Sequence, residues 1–229
     1  MEHGLGFVLA FAIIGAMVWG VVWLVRSGSN EQAQMRERLM KELGLEERSE
    51  PQIARLDLPT HPSWAAAGTF RGREVVVSEW GETGVSRQVQ SYCSVRVKLK
   101  RLSDFRLEIR PTRGGGTVNQ QLSPMTPGDL GLDERWSVRS TDAVRTKQII
   151  LDDQTGLLLQ VLTHEDAPRL EVEKSTVFSR PESPDVLAES VAVQLLVPVS
   201  LTSGRGLEQL LPKAAALCCG IADQLDEAG

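Results

Sequence analysis

"QSYCSVRVKLKRLSDFRLEIRPT", Gln90 to Thr112, carries the strongest pattern in the chain. Val95, Val97 and Leu99 alternate with Arg96, Lys98 and Lys100. After a turn at Leu102-Ser103-Asp104, Phe105, Leu107 and Ile109 alternate with Arg106, Glu108 and Arg110. Successive side chains of a strand point to opposite faces, so a period of two marks strands with one apolar and one charged side. The spacing predicts an antiparallel hairpin. Its five cations Arg96, Lys98, Lys100, Arg106 and Arg110 are then expected to stand together on one face. Like charges set opposite one another destabilise a sheet unless something neutralises them.

Working outward, "GTFRGREVVVSEW" (68–80) predicts two strands turning at Arg71-Gly72, with a loop at Gly81 to Gly84. "TRGGGTVNQQLSPMTPGD" (112–129) is a loop by composition. "RWSVRST" predicts a strand, and "DAVRTKQIILDDQTGLLLQVLTH" a helix broken at Asp152-Asp153. "RLEVEKSTVFSR" predicts a second hairpin. Ser183 and Pro184 read as a helix start, with a stripe of Leu187, Val191 and Leu195 that stops at Pro198. A last helix is expected from Gly206 to Asp226, its apolar face marked by Leu207, Leu210, Leu211, Ala214, Leu217, Cys218, Ile221, Ala222 and Leu225. Pro212 conflicts with it, as a kink or as its true start. Strands first and helices later predict an α+β fold: an antiparallel sheet with C-terminal helices packed on one face.

The N-terminus is of another kind. "GLGFVLAFAIIGAMVWGVVWLV" (4–25) has no charged side chain. A helix of about 22 residues rises about 33 Å, enough to cross a bilayer core. No Lys or Arg precedes the run and no Ala-x-Ala cleavage pattern follows it, so the expectation is a retained anchor and not a signal peptide. Arg26, Arg36, Arg38, Lys41 and Arg48 all follow it, which predicts the N-terminus outside and the rest in the cytoplasm. Trp19 and Trp23 fall near the expected inner boundary. Ala12, Ala16 and Gly20 form a small-residue stripe suited to a homodimer through the anchor. "NEQAQMRERLMKELGLEE" (30–47) predicts an amphipathic helix with Met35, Leu39 and Leu43 on one face and Gly44 at its end. The expected division is an anchor over 1–28, a juxtamembrane helix and proline-bearing linker over 29–62, and an α+β domain over 63–229.

"GTFRGREVVV" (68–77), "LDERWSVRSTDAVRTKQIILDD" (132–153) followed by "TGLLLQVL" (155–162), and the closing helix resemble a family of uncharacterised, membrane-anchored bacterial proteins. The resemblance implies a bacterial inner-membrane setting and a similar α+β domain. It implies no activity and no functional residues.

The search for chemistry yields little. His3, His61 and His164 are the only histidines, there is no Cys-x-x-Cys pair, and no metal or cofactor is expected. There is no Gly-x-Ser-x-Gly elbow. "RGGGT" (113–117) lacks the Lys-Ser/Thr of a phosphate loop. Cys93 sits at a strand position and reads as a packed thiol, and one of Cys218 and Cys219 is expected to face the core. Asp152-Asp153 reads as a turn or cap.

The basic segment remains. Residues 85–113 hold eight Lys or Arg against Asp104 and Glu108, in a chain of net charge −5. Residues 181–229, with seven acids against Arg205 and Lys213, could neutralise it from within the chain. So could the anionic headgroups of the lipid bilayer, or an acidic partner protein. Nucleic acid is not expected, because only Tyr92 and Phe105 offer stacking and the net charge is negative. The expectation is a single-pass accessory or scaffold protein, not an enzyme. Its cytoplasmic domain would bind a partner protein or the anionic membrane surface through Arg96, Lys98, Lys100, Arg106 and Arg110. Two alternatives stand beside it. One is an enzyme, such as a hydrolase, with a pocket around Asp152, Asp153 or Cys93. The other is a periplasm-facing binding domain.

Overall fold

Met35, Leu39 and Leu43 are the buried stripe of a helix over 33–43 (α1), as their spacing of four predicts. Gly44, at φ +64°, ends it in the left-handed conformation that glycine adopts without strain. The structure is a computed structural model. It describes residues 33–47, 64–83, 89–112, 121–128, 130–152, 169–175, 179–180, 183–187, 190–197 and 205–227. Met1–Arg38 and Leu39–Gly229 are separate compact units, and the fold below is that of the second.

After α1 the elements run β1 (Leu45–Glu47), β2 (Trp64–Phe70), β3 (Arg73–Thr83), β4 (Val89–Lys98), β5 (Leu107–Pro111) and β6 (Ser123–Met125). Next come α2 (Leu130–Asp133), β7 (Trp136–Ser140), α3 (Ala143–Ile150), β8 (Arg169–Ser175), β9 (Ser179–Arg180), β10 (Ser183–Leu187), β11 (Ser190–Val197) and α4 (Arg205–Glu227). Nine strands form one antiparallel sheet in the order β1-β2-β3-β4-β11-β8-β5-β7-β6, and β9 pairs with β10 separately. An antiparallel sheet with a C-terminal helix is the α+β fold that the order of elements predicts.

Register explains both faces of this sheet. One row reads Ala66, Val77, Val95, Leu195, Leu170, Ile109, Val138 across seven strands, all paired neighbour to neighbour. All seven are buried, and they are the floor of the core. α4 packs on β4 and β11 with Leu211, Ala214, Ala215, Cys218, Ile221 and Ala222 buried. Its three buried alanines let the helix approach closely. Its C-terminal end is fixed by Arg73, whose guanidinium lies 2.6 Å from Asp223 and 2.8 Å from Asp226. Pro212 sits inside α4, which continues through it.

Several expectations are corrected. The stretch 90–112 does hold two strands, but they are not a hairpin: β11 and β8 lie between β4 and β5. Three strand spacings are about 14 Å. The eight residues 99–106 between β4 and β5 can span about 26 Å when extended, so the connection is long enough to pass two strands. Likewise β8 pairs with β11 and β5, not with β9. The expected helix from Ser183 to Pro198 is instead β10 and β11, so the C-terminal helices reduce to α4 alone among the described residues. β11 is buried on both faces in mid-sheet, which removes the polar alternation that would identify it. β3 runs on to Thr83, where a loop was expected from Gly81. The sheet begins with β1 at Leu45, ahead of residue 63.

The charge-free segment 4–25, with Trp19, Trp23, Ala12, Ala16 and Gly20, lies outside the described residues. Among the described residues no helix is long and apolar enough to cross a membrane.

Candidate functional site

Shifting one residue along each strand turns the core row into its opposite. Val76, Arg96, Gln194, Glu171, Glu108 and Arg139 stand side by side on β3, β4, β11, β8, β5 and β7, on the face away from α4. Polar side chains on an outer face are ordinary, but these are not all exposed. Arg96 is 4% exposed, Gln194 3% and Glu108 2%. Desolvating charged and amide groups is costly unless they are paired, so the row must be bonded internally. Arg96 Nε donates to Gln194 Oε1 at 2.6 Å. Arg169, two residues before Glu171 on β8, bridges two acids: its Nη2 lies 3.3 Å from Glu108 Oε1 and its Nε pairs with Glu171 Oε1. Ser78 and Ser94 share a buried hydroxyl pair at 2.7 Å on the same face. Arg139 Nη1 donates to the Leu122 carbonyl at 2.9 Å.

Two carboxylates, Glu108 and Glu171, are directly opposite in register and draw on the same guanidinium. Burial pushes the Glu171 carboxyl up to about 7, with the nearby Glu173 and Glu108 adding to the rise and Arg169 opposing it.

The five cations expected to form one basic face are dispersed by the topology. Arg96 is buried beside Gln194. Lys98 pairs with Glu74 at 3.2 Å, both partly exposed. Lys100 is exposed, and its backbone N–H, with that of Arg101, is held by the Asp226 carboxylate. Arg106 turns back onto the carbonyls of Ser103 and Phe105 at 2.7 and 2.6 Å. Arg110 lies on β5, opposite Ser137 of β7. Arg96, Lys98 and Arg110 still leave the same face of the sheet, but β11 and β8 stand between their strands, so they are not cross-strand neighbours. Sequence reasoning also missed Gln194, Glu171 and Arg169. The one available signal was Gln194, a lone amide in the apolar run "SVAVQLLV".

A second feature lies where three elements meet. The 99–106 connection touches the end of α4 through Asp226. It touches the start of α3 through paired backbone and side-chain bonds between Arg106 and Thr141. Arg145 of α3 lies over the Phe105 ring at 5.4 Å and donates to the Leu225 carbonyl at 2.6 Å. α3 itself starts at Asp142, whose carboxylate accepts from the Val144 and Arg145 amides. A cleft of about 430 Å³ opens here, lined by Arg145, Gln148, Ile149, Gln224, Leu225 and Glu227. Leu102, Val144 and Leu151 stand exposed on this connection and on α3 with its C-cap, at 67, 70 and 56%.

The three cysteines are all buried. Burial pushes the Cys93 thiol far up, helped by the charge of Glu79, and Cys218 likewise; Cys219 is pushed up to about 11. Thiols so held are poor nucleophiles. Among the described residues no group of His, Cys, Asp and Glu is placed to hold a metal ion. Asp152 lies at the end of α3, and Asp153 falls outside the described residues.

No protein-family model and no curated protein matches the sequence. The fold is similar to the crystal structure of the mycobacterial trehalose monomycolate transport factor A, TtfA. The TM-score is 0.51 at 12% identity, over 86% of this chain and 93% of that one. At that identity the likeness concerns the fold alone.

Proposed function

We propose that the chain is a membrane-tethered accessory factor, not an enzyme. Its domain binds a protein partner on the cytoplasmic side of a bacterial inner membrane, in a transport process. The observation that carries this reading is the fold shared with a transport factor over most of both chains. The uncharged stretch 4–25 supports the tether, and the cations after it support the orientation. The surface best suited to a partner is the α3–α4 corner. Leu102, Val144 and Leu151, on the 99–106 connection and on α3 with its C-cap, are exposed large apolar side chains, and Arg145, Gln148 and Ile149 of α3 line a cleft.

Crosslinking in the native membrane, followed by isolation of the chain, tests the reading. An integral membrane transport protein is expected as the captured partner. The triple change Leu102→Asp, Val144→Asp, Leu151→Asp is expected to lower its recovery at least tenfold. The melting temperature should stay nearly unchanged, because none of the three is buried. Undiminished recovery would place the partner elsewhere. An alkaline phosphatase fused to the C-terminus should be inactive; activity there would put the domain outside the cytoplasm.

A further inference from the structure

We propose that the cleft between α3 and α4 receives a carboxylate of the partner protein, held by Arg145, an inference that rests on the partner-binding reading. The docking segment of the partner is then an acidic residue set between apolar ones.

Arg145 lines the cleft with Gln148 and Ile149 of α3 and with Gln224, Leu225 and Glu227 of α4. A guanidinium carries five N–H donors and a charge that does not titrate away. Nη2 donates to the Leu225 carbonyl, and the group lies over the Phe105 ring. Both contacts are with uncharged groups, and Nε is enclosed without a hydrogen-bond partner. Among the described residues no carboxylate pairs with Arg145. The acids close to it in the fold are engaged elsewhere. Asp142 caps α3 by accepting from the Val144 and Arg145 amides. Asp223 and Asp226 are held by Arg73, and Asp226 also accepts from the Lys100 and Arg101 amides. Glu227 is exposed to water, which screens its charge. The carboxyl end of α4 carries a partial charge of roughly −0.5, which favours an arginine there without neutralising it. A carboxylate satisfies such a group with two parallel bonds.

The cations nearby favour the same occupant. Lys100, Arg101 and Lys147 are exposed, and none has an ion pair among the described residues. The backbone of Lys100 and Arg101 is bonded to Asp226, which lies between Leu225 and Glu227 of the cleft wall. Lys147 precedes Gln148 of the opposite wall. Charges placed around a site raise the rate at which an opposite charge finds it.

The shape of α3 points to a protein segment and not to a small free carboxylate. Val144, Gln148 and Leu151 are spaced by four and three, so they share one face. They span about 10 Å along the axis. Val144 and Leu151 are exposed, and Gln148 between them lines the cleft. An occupant covering this face needs apolar groups on both sides of its charge. Gln148 and Gln224 each offer an amide donor and acceptor, the pair that a peptide bond needs.

The test uses the full chain in its native membrane, with a photoreactive benzophenone amino acid in place of Gln148 and, separately, of Gln224. The segment crosslinked to it is mapped by mass spectrometry. An Asp or Glu flanked by apolar residues is expected in that segment. Changing that acid to its amide should lower the crosslink at least tenfold. On the Arg145→Gln chain the same change should have no further effect, as a double-mutant cycle requires of a directly coupled pair. A mapped segment without an acid would overturn the proposal, as would a crosslink to lipid or to a small molecule. So would a crosslink that survives the acid-to-amide change, a result read on a chain with Arg145 intact and independent of how Arg145→Gln folds. If recovery depends on Leu102, Val144 and Leu151 but not on the acid, the carboxylate site is wrong and the partner reading stands. If it depends on neither, both fail.

Discussion

Glu171 has a measurable signature in stability. Its carboxyl is raised from an ordinary 4.5 to about 7, so between those values the folded chain binds more protons than the unfolded chain. Stability therefore falls as pH rises through that window, and the loss is complete above about 7. Glu171→Gln removes the ionisation. The variant should be more stable than the parent at pH 8, on the order of 1 kcal/mol, and nearly equal to it at pH 5, as read from thermal unfolding at the two pH values. Arg96 gives the opposite case. Its guanidinium is buried and bonded to Gln194 at 2.6 Å. Arg96→Ala leaves that amide short of a partner and opens a cavity, at about 2–4 kcal/mol. Chemical denaturation measures it. Arg96 shows what a sequence pattern leaves unsaid. Alternation correctly put Arg96 opposite Val95 and Val97, yet the charged face was assumed to be exposed. Its burial depends on Gln194, a residue 98 positions away.

At the scale of elements, local chemistry was legible wherever one residue type does one job. The Arg71-Gly72 turn joins β2 to β3, with φ of 51° and 73° at the two residues, as a tight hairpin requires. Gly44 ends α1. Gly68 holds a different constraint: a Cβ there would stand 2.3 Å from the Gly44 carbonyl oxygen and 3.0 Å from the Leu45 Cα. Gly68→Ala should therefore push β1 off the sheet, costing roughly 2–3 kcal/mol, with faster amide exchange in 45–47 as the readout. β11 shows where element reading fails. Leu187, Val191 and Leu195 are four apart, and four is one helical turn but also an even number. The same spacing places Val191 and Leu195 on one face of a strand, so periodicity alone could not choose. Pro212 failed in the other direction, because tertiary burial of α4 on the sheet outweighs its local penalty.

For the whole molecule, the charge-free stretch and the domain make separable predictions. Leu39–Gly229 is a compact unit of its own. Removing residues 1–28 should release the chain from the membrane fraction while the domain keeps its circular dichroism spectrum. If the shortened chain still sediments with membranes after a high-salt wash, a contact of the domain itself holds it there.

By itself the sequence determined properties set by neighbouring residues: which side chains share a strand face, where Gly44 and Arg71-Gly72 turn the chain, the extent of α4, and an uncharged span at the N-terminus. Only the tertiary structure decided which strands are neighbours. Pairing energy comes from residues far apart in the chain, and alternation within a strand carries no mark of its partner. That choice separated β4 from β5, dispersed the five cations expected to stand together, and set Glu108 against Glu171.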